Sequence, residues 1–159
     1  MRAPLIVPSA TFQKVLRDEA GLNEYIGLDE SELTAVAALA ANLYEQGRIA
    51  EARTIFEGLT ALDGDFYRGH AGLGALALIE GDPETAMRSL ARAAELCPGD
   101  ASVLCNLGEA YLQRAEFTEA ARCFERALAL DPDGSDPGAN RTRAIIAGLQ
   151  RAAGAASTK

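Results

Sequence analysis

The sequence has very few of the side chains that usually carry out chemistry: one histidine and three cysteines in 159 residues. The histidine, His70, falls at a core-facing position of a predicted helix. Without a second histidine or a cysteine cluster, the chain has no set of zinc ligands. No nucleophile, base and orienting group can be combined into a catalytic site either. We therefore expect a protein that is not an enzyme and that holds no metal ion or cofactor.

The odd number of cysteines argues against a disulfide framework. Cys97, Cys105 and Cys123 fall on predicted helices or at a helix end, where cysteine usually behaves as a small buried hydrophobe in a reducing compartment. Thirteen of the 15 basic residues are arginine, which is typical of GC-rich bacterial genomes. The sequence therefore predicts a cytoplasmic protein of a bacterium.

Long apolar runs and an excess of positive charge are missing as well. We expect no membrane-spanning segment and no signal peptide, because no run is apolar enough for the first and the N-terminus lacks the layout of the second. The formal net charge of −8 argues against nucleic acid as a partner, since phosphate binding needs clustered Lys and Arg. β-Branched residues do not alternate along the chain, so we expect almost no sheet.

What the sequence has is a gapless internal repeat with a period of 34 residues. The clearest copy, residues 101–134, holds Leu104, Leu107, Gly108, Tyr111, Ala120, Phe124, Ala127 and Pro132. One period earlier, the matching residues are His70, Leu73, Gly74, Ala77, Ala86, Leu90, Ala93 and Pro98. A further period earlier, they are Val36, Leu39, Ala40, Leu43, Ala52, Phe56, Leu59 and Gly64. This is the tetratricopeptide repeat (TPR) pattern, in which each unit is two antiparallel helices, A and B, joined by a short turn.

Glycines at fixed repeat positions predict how the helices of each unit pack. Gly74 and Gly108 lie on helix A and face small alanines on helix B, where larger side chains would push the two helices apart. Gly47 and Gly81 lie in the first two A-to-B turns, where glycine is the usual residue at the end of a helix. The pattern therefore predicts closely packed helical hairpins.

We predict an all-α fold with three TPR helix-turn-helix repeats in a right-handed superhelix, an N-terminal helical extension and a C-terminal capping helix. The three repeats are residues 33–66, 67–100 and 101–134, within a repeat domain of residues 31–136. Residues 1–30 form an N-terminal arm with a short helix, and residues 137–159 form the capping helix and a tail.

The N-terminal arm contains two apolar segments. Ser9 can cap a short amphipathic helix that carries Phe12, Val15 and Leu16. The segment 4–8 is too short to be a core element. Either it packs on a neighbouring subunit or in a groove as a stand-in for a ligand, or it is a disordered tail.

A TPR protein binds its partners on the concave face that its A helices line. The predicted groove residues are Ala37, Ala41, Tyr44, Arg68, Ala71, Ala75, Leu78, Ile79, Cys105, Glu109 and Leu112. Most are small, which leaves room for an extended peptide backbone, and the larger apolar ones suit Leu or Pro side chains. An alternative stays open, in which the chain's own termini cover some of these positions.

One stretch resembles a narrower family. It runs from Leu43-Tyr44-Glu45-Gln46-Gly47-Arg48 through Glu51-Ala52, Phe56, Leu59 and Leu62-Asp63 to Tyr67-Arg68 and Gly72-Leu73-Gly74-Ala75. These residues resemble the class II chaperones of bacterial type III secretion, over residues 30–132. The resemblance implies a cytoplasmic chaperone that keeps hydrophobic translocator proteins soluble. It further implies that an extended Pro/Leu-containing client segment lies in the groove near Tyr44, and that the N-terminal arm takes part in homodimers.

We expect a protein-binding chaperone as the function. The alternative is a general TPR scaffold that assembles a bacterial protein complex. The two differ in their partners: a chaperone holds a client that is otherwise insoluble, whereas a scaffold binds a soluble, folded protein.

Overall fold

The structure, a computed structural model, describes residues 28–156, and within this range the protein has seven α-helices and no strand. The helices are α1 Glu30–Glu45, α2 Ile49–Leu62, α3 Tyr67–Glu80, α4 Pro83–Leu96, α5 Ala101–Gln113, α6 Phe117–Ala129 and α7 Pro137–Ala156. The predicted all-α repeat fold is confirmed. The short helix expected after Ser9 and the apolar segment 4–8 lie outside the described residues.

Two compact units make up the chain, and they divide within α3: the first ends at Gly69 and the second begins at His70. In the first unit, α1 begins with a capping box. The side chain of Asp29 accepts a hydrogen bond from the Glu32 backbone at 2.9 Å, and the Glu32 carboxylate accepts one from the Asp29 backbone at 3.0 Å. α1 packs against α2. The buried residues of this hairpin are Leu33, Ala37, Ala40, Leu43, Ala52, Phe56 and Leu59.

The three turns from helix A to helix B have the same hydrogen bonds. In the first turn, the backbone N–H of Arg48 donates to the Leu43 carbonyl and that of Gly47 donates to the Tyr44 carbonyl, both at 2.9 Å. This pair of bonds defines a Schellman motif, and it recurs one and two periods later. Each turn has one residue with positive φ. It is Gly47 (+76°) in the first turn, Gly81 (+74°) in the second and Ala115 (+58°) in the third. The first two match the predicted glycines, whereas the third places a methyl group in a region that L-residues disfavour.

In the second unit, glycine permits the close approach that the sequence predicted. A Cβ atom added to Gly74 would lie 2.4 Å from Leu90 Cγ, and one added to Gly108 would lie 2.4 Å from Phe124 Cε1. Both contacts join helix A to helix B of the same repeat. Any larger residue at these two positions would therefore displace the Leu90 or Phe124 side chain or force the two helices of its hairpin apart.

Helix α7 packs against both α5 and α6. Its start is fixed by Asp136, whose side chain accepts a hydrogen bond from the Ala139 backbone at 2.9 Å. A Cβ atom on Gly138 would lie 2.4 Å from the Ser102 backbone nitrogen, so α7 and α5 touch almost backbone to backbone at this point. The C-terminal helix is thus closely fitted to the third repeat.

A buried carboxylate connects α7 to the loop that precedes it. Arg143 Nη1 donates to Asp131 Oδ2 at 3.0 Å, and Arg143 also donates to the Asp131 carbonyl. The Ser135 backbone N–H donates to Asp131 Oδ1 at 2.9 Å. Burial disfavours the charged carboxylate, but the hydrogen bonds from Arg143 and Ser135 outweigh it and lower the pKa of Asp131 to about 2. The carboxylate therefore stays charged and keeps the loop and α7 together.

Candidate peptide-binding surface

The predicted groove residues of α1 differ in exposure. Ala37 is buried and belongs to the apolar face of α1, so it does not present its side chain to a ligand. Ala41 and Tyr44 follow on the same helix, Ala41 exposed and Tyr44 half-buried. Arg68, at the start of α3, is exposed and places its guanidinium carbon 4.9 Å from the centre of the Tyr67 ring. This distance permits a cation–π contact that holds the arginine along its own helix.

The predicted groove residues of α3 in the second unit also differ in exposure. Ala71 and Ala75 are half-buried, and Leu78 is only 8% exposed. The next residue, Ile79, is 60% exposed. An aliphatic side chain with this exposure next to small half-buried residues gives a partner an apolar contact without a large obstacle.

The predicted groove residues of the third repeat lie beneath α7. Cys105 is fully buried, and burial raises the pKa of its thiol despite a hydrogen bond with Thr142 of α7. Its Sγ also lies 3.8 Å from Glu109 Oε1 on its own helix. Cys105 is therefore a packed, un-ionised thiol between α5 and α7.

Glu109 is held by an ion pair with α7. Arg141 Nη2 lies 2.7 Å from Glu109 Oε1, and Arg141 Nη1 donates to Asn106 Oδ1 at 2.8 Å. Leu112, one turn further along α5, stays half-buried. In the third repeat, α7 therefore contacts Cys105 and Glu109. Of the three predicted groove residues on α5, Leu112 is the one whose apolar side chain stays partly exposed to solvent. The sequence allowed this alternative, in which a terminal segment of the chain covers part of the predicted surface.

Leu112 also borders an apolar cavity that the sequence analysis did not predict. The cavity has a volume of about 280 Å³. It is lined by Leu112, Phe117, Ala120, Ala121, Phe124, Glu125, Ile146 and Leu149. Phe117 is 67% exposed at the first position of α6. A sequence signal existed: Ala121 stands where the preceding repeat has the much larger Met87, so the space next to α6 is left unfilled.

The described residues contain no group of three or more His, Cys, Asp or Glu side chains that could hold a metal ion. All three cysteines are free thiols. Across residues 28–156, no helix has the length and apolar character needed to span a membrane.

Comparison with family models identifies the repeats. Tetratricopeptide repeat models match residues 37–101 and residues 101–133, which together cover most of the chain. The chain belongs to the tetratricopeptide repeat family. No curated protein matches it in a comparison of sequences.

Among solved structures, the chain resembles translocator chaperones of type III secretion. PcrH in complex with the chaperone-binding region of PopB is 30% identical, with a TM-score of 0.64 over 75% of this chain and 98% of PcrH. PcrH in complex with the chaperone-binding region of PopD is 29% identical, with a TM-score of 0.65 over 79% and 96%. The Yersinia enterocolitica type III secretion translocator chaperone SycD, at 22% identity, has a TM-score of 0.67 over 81% and 98% and shows the shared fold.

The similarity is not limited to chaperones. A mutant O-GlcNAc transferase of Thermobaculum terrenum matches with a TM-score of 0.61 and 25% identity. The match covers 64% of this chain but only 19% of the transferase chain. The resemblance to the translocator chaperones, in contrast, extends over nearly their whole length.

Proposed function

We propose that this protein is a cytoplasmic type III secretion chaperone without catalytic activity, which holds hydrophobic translocator proteins before export. The observation that carries the proposal is the resemblance to PcrH, which covers 98% of the PcrH chain at 30% identity. PcrH has been solved with the chaperone-binding regions of PopB and of PopD. Two different partners on one chaperone support a surface that accepts short segments of several hydrophobic clients.

The described A helices supply contacts that suit an extended client segment. Ala41 is small and exposed, so it leaves space for a peptide backbone. Tyr44 and Ile79 offer larger apolar surfaces, and burial of client side chains on them contributes about 25 cal/mol per Å² of apolar area. We assign client contacts in the first unit to Ala41 and Tyr44 on α1. In the second unit we assign them to Ile79 on α3 and Leu112 on α5, because α7 already engages Cys105 and Glu109.

The N-terminal arm completes the proposal. In our proposal the protein is a homodimer, and residues 1–30 contribute to the dimer, as the resemblance to class II chaperones implies. The client segment is extended and contains Pro and Leu, because small groove residues such as Ala71 and Ala75 accept a backbone more readily than a helix.

The test is an affinity pull-down from the native cell, read by mass spectrometry. The wild-type protein is compared with Tyr44→Asp/Ile79→Asp, which adds two charges to the proposed client surface. Ile79 is preferred over Leu78 because Leu78 is only 8% exposed and its replacement by Asp would disturb the core. Ala61→Asp, at an exposed position of α2, is the matched control. We expect large proteins with membrane-inserting segments to be recovered with the wild type and the control and lost with the double variant.

A general TPR scaffold is the second candidate function, because the match to part of an O-GlcNAc transferase chain indicates that this helical arrangement also occurs outside the translocator chaperones. The two functions differ in one measurable respect. When the gene for this protein is deleted, a client of a chaperone becomes insoluble or degraded, whereas the partner of a scaffold stays soluble at its normal level. Recovery of soluble machinery components that do not depend on the protein would replace the chaperone proposal by the scaffold.

A further inference from the structure

One face of α1 is exposed although the matching face of helix A in the third repeat is buried. The face consists of Ala35, Val36, Leu39 and Asn42, which we call the α1 stripe. Val36 is 40% exposed and Leu39 is 54% exposed. Ala35 and Asn42 are exposed as well. The spacing of the four residues places them on one side of the helix, where they form a narrow, mostly apolar strip.

The same face is buried in the third repeat. The matching residues of α5, two periods later, are Val103 (2% exposed), Leu104 (0%), Leu107 (5%) and Ala110 (0%). Other sides of α5 are accounted for: Gly108 faces Phe124 of α6, and Glu109 faces Arg141 of α7.

The helix that remains to cover this face is α4, which packs against α5 and immediately precedes it in the chain. Leu107 supports this assignment, because it borders a surface depression together with Ala91 and Ala94 of α4. The face of a helix A that corresponds to the α1 stripe is therefore covered by the helix that comes before it.

The segment that precedes α1 has the composition such a helix needs. The chain outside the described structure is long enough, at 27 residues, and it ends at Gly27, two residues before the capping residue Asp29 of α1. Within it, Phe12, Val15 and Leu16 recur at the spacing of one helical face, and Ser9 precedes them as a capping residue. Residues 21–28 then leave a connection at least as long as the four residues 97–100 that join α4 to α5.

We propose that residues 9–20 of the same chain dock on the α1 stripe, with Phe12, Val15 and Leu16 covering Val36 and Leu39. The segment then covers helix A of the first repeat in the way that α4 covers helix A of the third repeat. The arm then caps the repeat array, because a terminal repeat needs a polar outer surface to stay soluble. This inference does not depend on the chaperone proposal, since it concerns a contact within the chain whatever the client is.

Thiol labelling at single positions of α1 tests the docking in the full-length protein. Cys97 is changed to Ser, which leaves Cys105 and Cys123 as buried native thiols, and Val36→Cys places a reporter in the stripe. Ala38→Cys is the control, because Ala38 lies on the same helix, is exposed and falls outside the stripe. We expect Cys at position 36 to react at least about tenfold more slowly than Cys at position 38, and Leu16→Asp to abolish the difference by undocking the arm.

Several outcomes would overturn the proposal. Equal labelling rates at positions 36 and 38 in the intact arm would show that the stripe is uncovered. A rate at position 36 that rises on dilution, together with a dimer mass by light scattering, would show that a second copy covers the stripe. Gln13→Asp, in the same arm but off its apolar face, must leave the rates unchanged. Protection of Cys123 in every variant verifies that the repeats stay folded.

Discussion

The first and third repeats share their sequence pattern but bury different parts of it. Helix α1 buries Leu33, Ala37, Ala40 and Leu43. Helix α5 buries Ala101, Val103, Leu104, Cys105, Leu107, Gly108 and Ala110. The counterparts of these four residues in α5 are Ala101, Cys105, Gly108 and Tyr111, of which Gly108 faces Phe124 of the partner helix α6. The additional burial in α5 arises because α4 and α7 lie on its other sides.

This comparison shows that a repeat position specifies a type of residue and not its burial. A leucine at the same place in the period is 5% exposed in α5, as Leu107, and 54% exposed in α1, as Leu39. The neighbours on both sides decide the outcome, because each repeat contacts only the repeats next to it. A substitution at a position that packs within the hairpin should therefore act differently from one at a position that a neighbouring helix covers.

The largest effect should follow when the hairpin contact of the third repeat is broken. Gly108→Ala would place a methyl carbon 2.4 Å from Phe124, and we expect the free energy of unfolding to fall by about 1–3 kcal/mol, as for an overpacked core. Gly58→Ala is the control within the first repeat, since a Cβ there meets nothing within 4 Å; it should raise stability by about 0.5–1 kcal/mol through helix propensity. Urea unfolding followed by circular dichroism measures both. Equal effects in the two variants would contradict the close contact.

A smaller loss should follow when α7 is released from the third repeat. The pKa of Asp131 is lowered to about 2 in the folded protein, below the value near 3.9 of an unperturbed Asp. The charged carboxylate therefore stabilises the fold above about pH 4, and this contribution disappears as the pH falls towards 2.

Asp131→Asn should remove that contribution and flatten the dependence of thermal stability on pH between about 4 and 2. Thermal melts of the wild type and the variant at several pH values measure the difference. Asp133→Asn, which changes a neighbouring exposed carboxylate, is the control. A wild-type melting curve that does not respond to pH in this window more than the Asp131→Asn curve would contradict a structural role of the carboxylate.

The period of 34 residues was sufficient to predict the all-α repeat fold, because glycine, alanine and leucine at fixed spacing leave one way to pack a helical hairpin. The Schellman turns at Gly47 and Gly81 followed from the same pattern. The left-handed conformation in the third turn could not be predicted in this way, since Ala115 adopts it where its two counterparts are glycine. Here the hairpin packing imposes a backbone conformation that the local sequence does not favour.

The candidate surface was harder to predict, because its exposure depends on contacts between distant residues. Nothing in the repeat positions of Cys105 and Glu109 indicates that Thr142 and Arg141 lie against them. The cavity beside Phe117 is lined by Ala121, which stands where the preceding repeat has Met87, and this position is not among the recurring residues that define the repeat. Packing between repeats therefore has to be read from the structure.

The strained turn gives a prediction of about 1 kcal/mol. Ala115→Gly should raise the free energy of unfolding by about 1 kcal/mol, because glycine adopts positive φ without the steric cost that Ala115 incurs at +58°. Gly47→Ala should lower it by a similar amount, since Gly47 adopts +76° with no neighbour within 4 Å of an added Cβ, so that the backbone alone is tested. Opposite signs in urea unfolding are the expected result. The same sign for both variants would show that the two turns are not equivalent.

The smallest effect is expected from thiol labelling, which tests the burial of the three cysteines without changing the fold. Burial raises the pKa of the Cys105 and Cys123 thiols, and both side chains are inaccessible, whereas Cys97 is partly exposed at the end of α4. A thiol reagent should therefore react quickly with one group per chain and slowly with two, because only an accessible thiolate reacts. Mass spectrometry of the labelled protein identifies the fast site, and Cys97→Ser should remove it. Fast labelling of Cys105 would mean that α7 leaves α5 readily, and it would contradict the close fit of α7 to the third repeat.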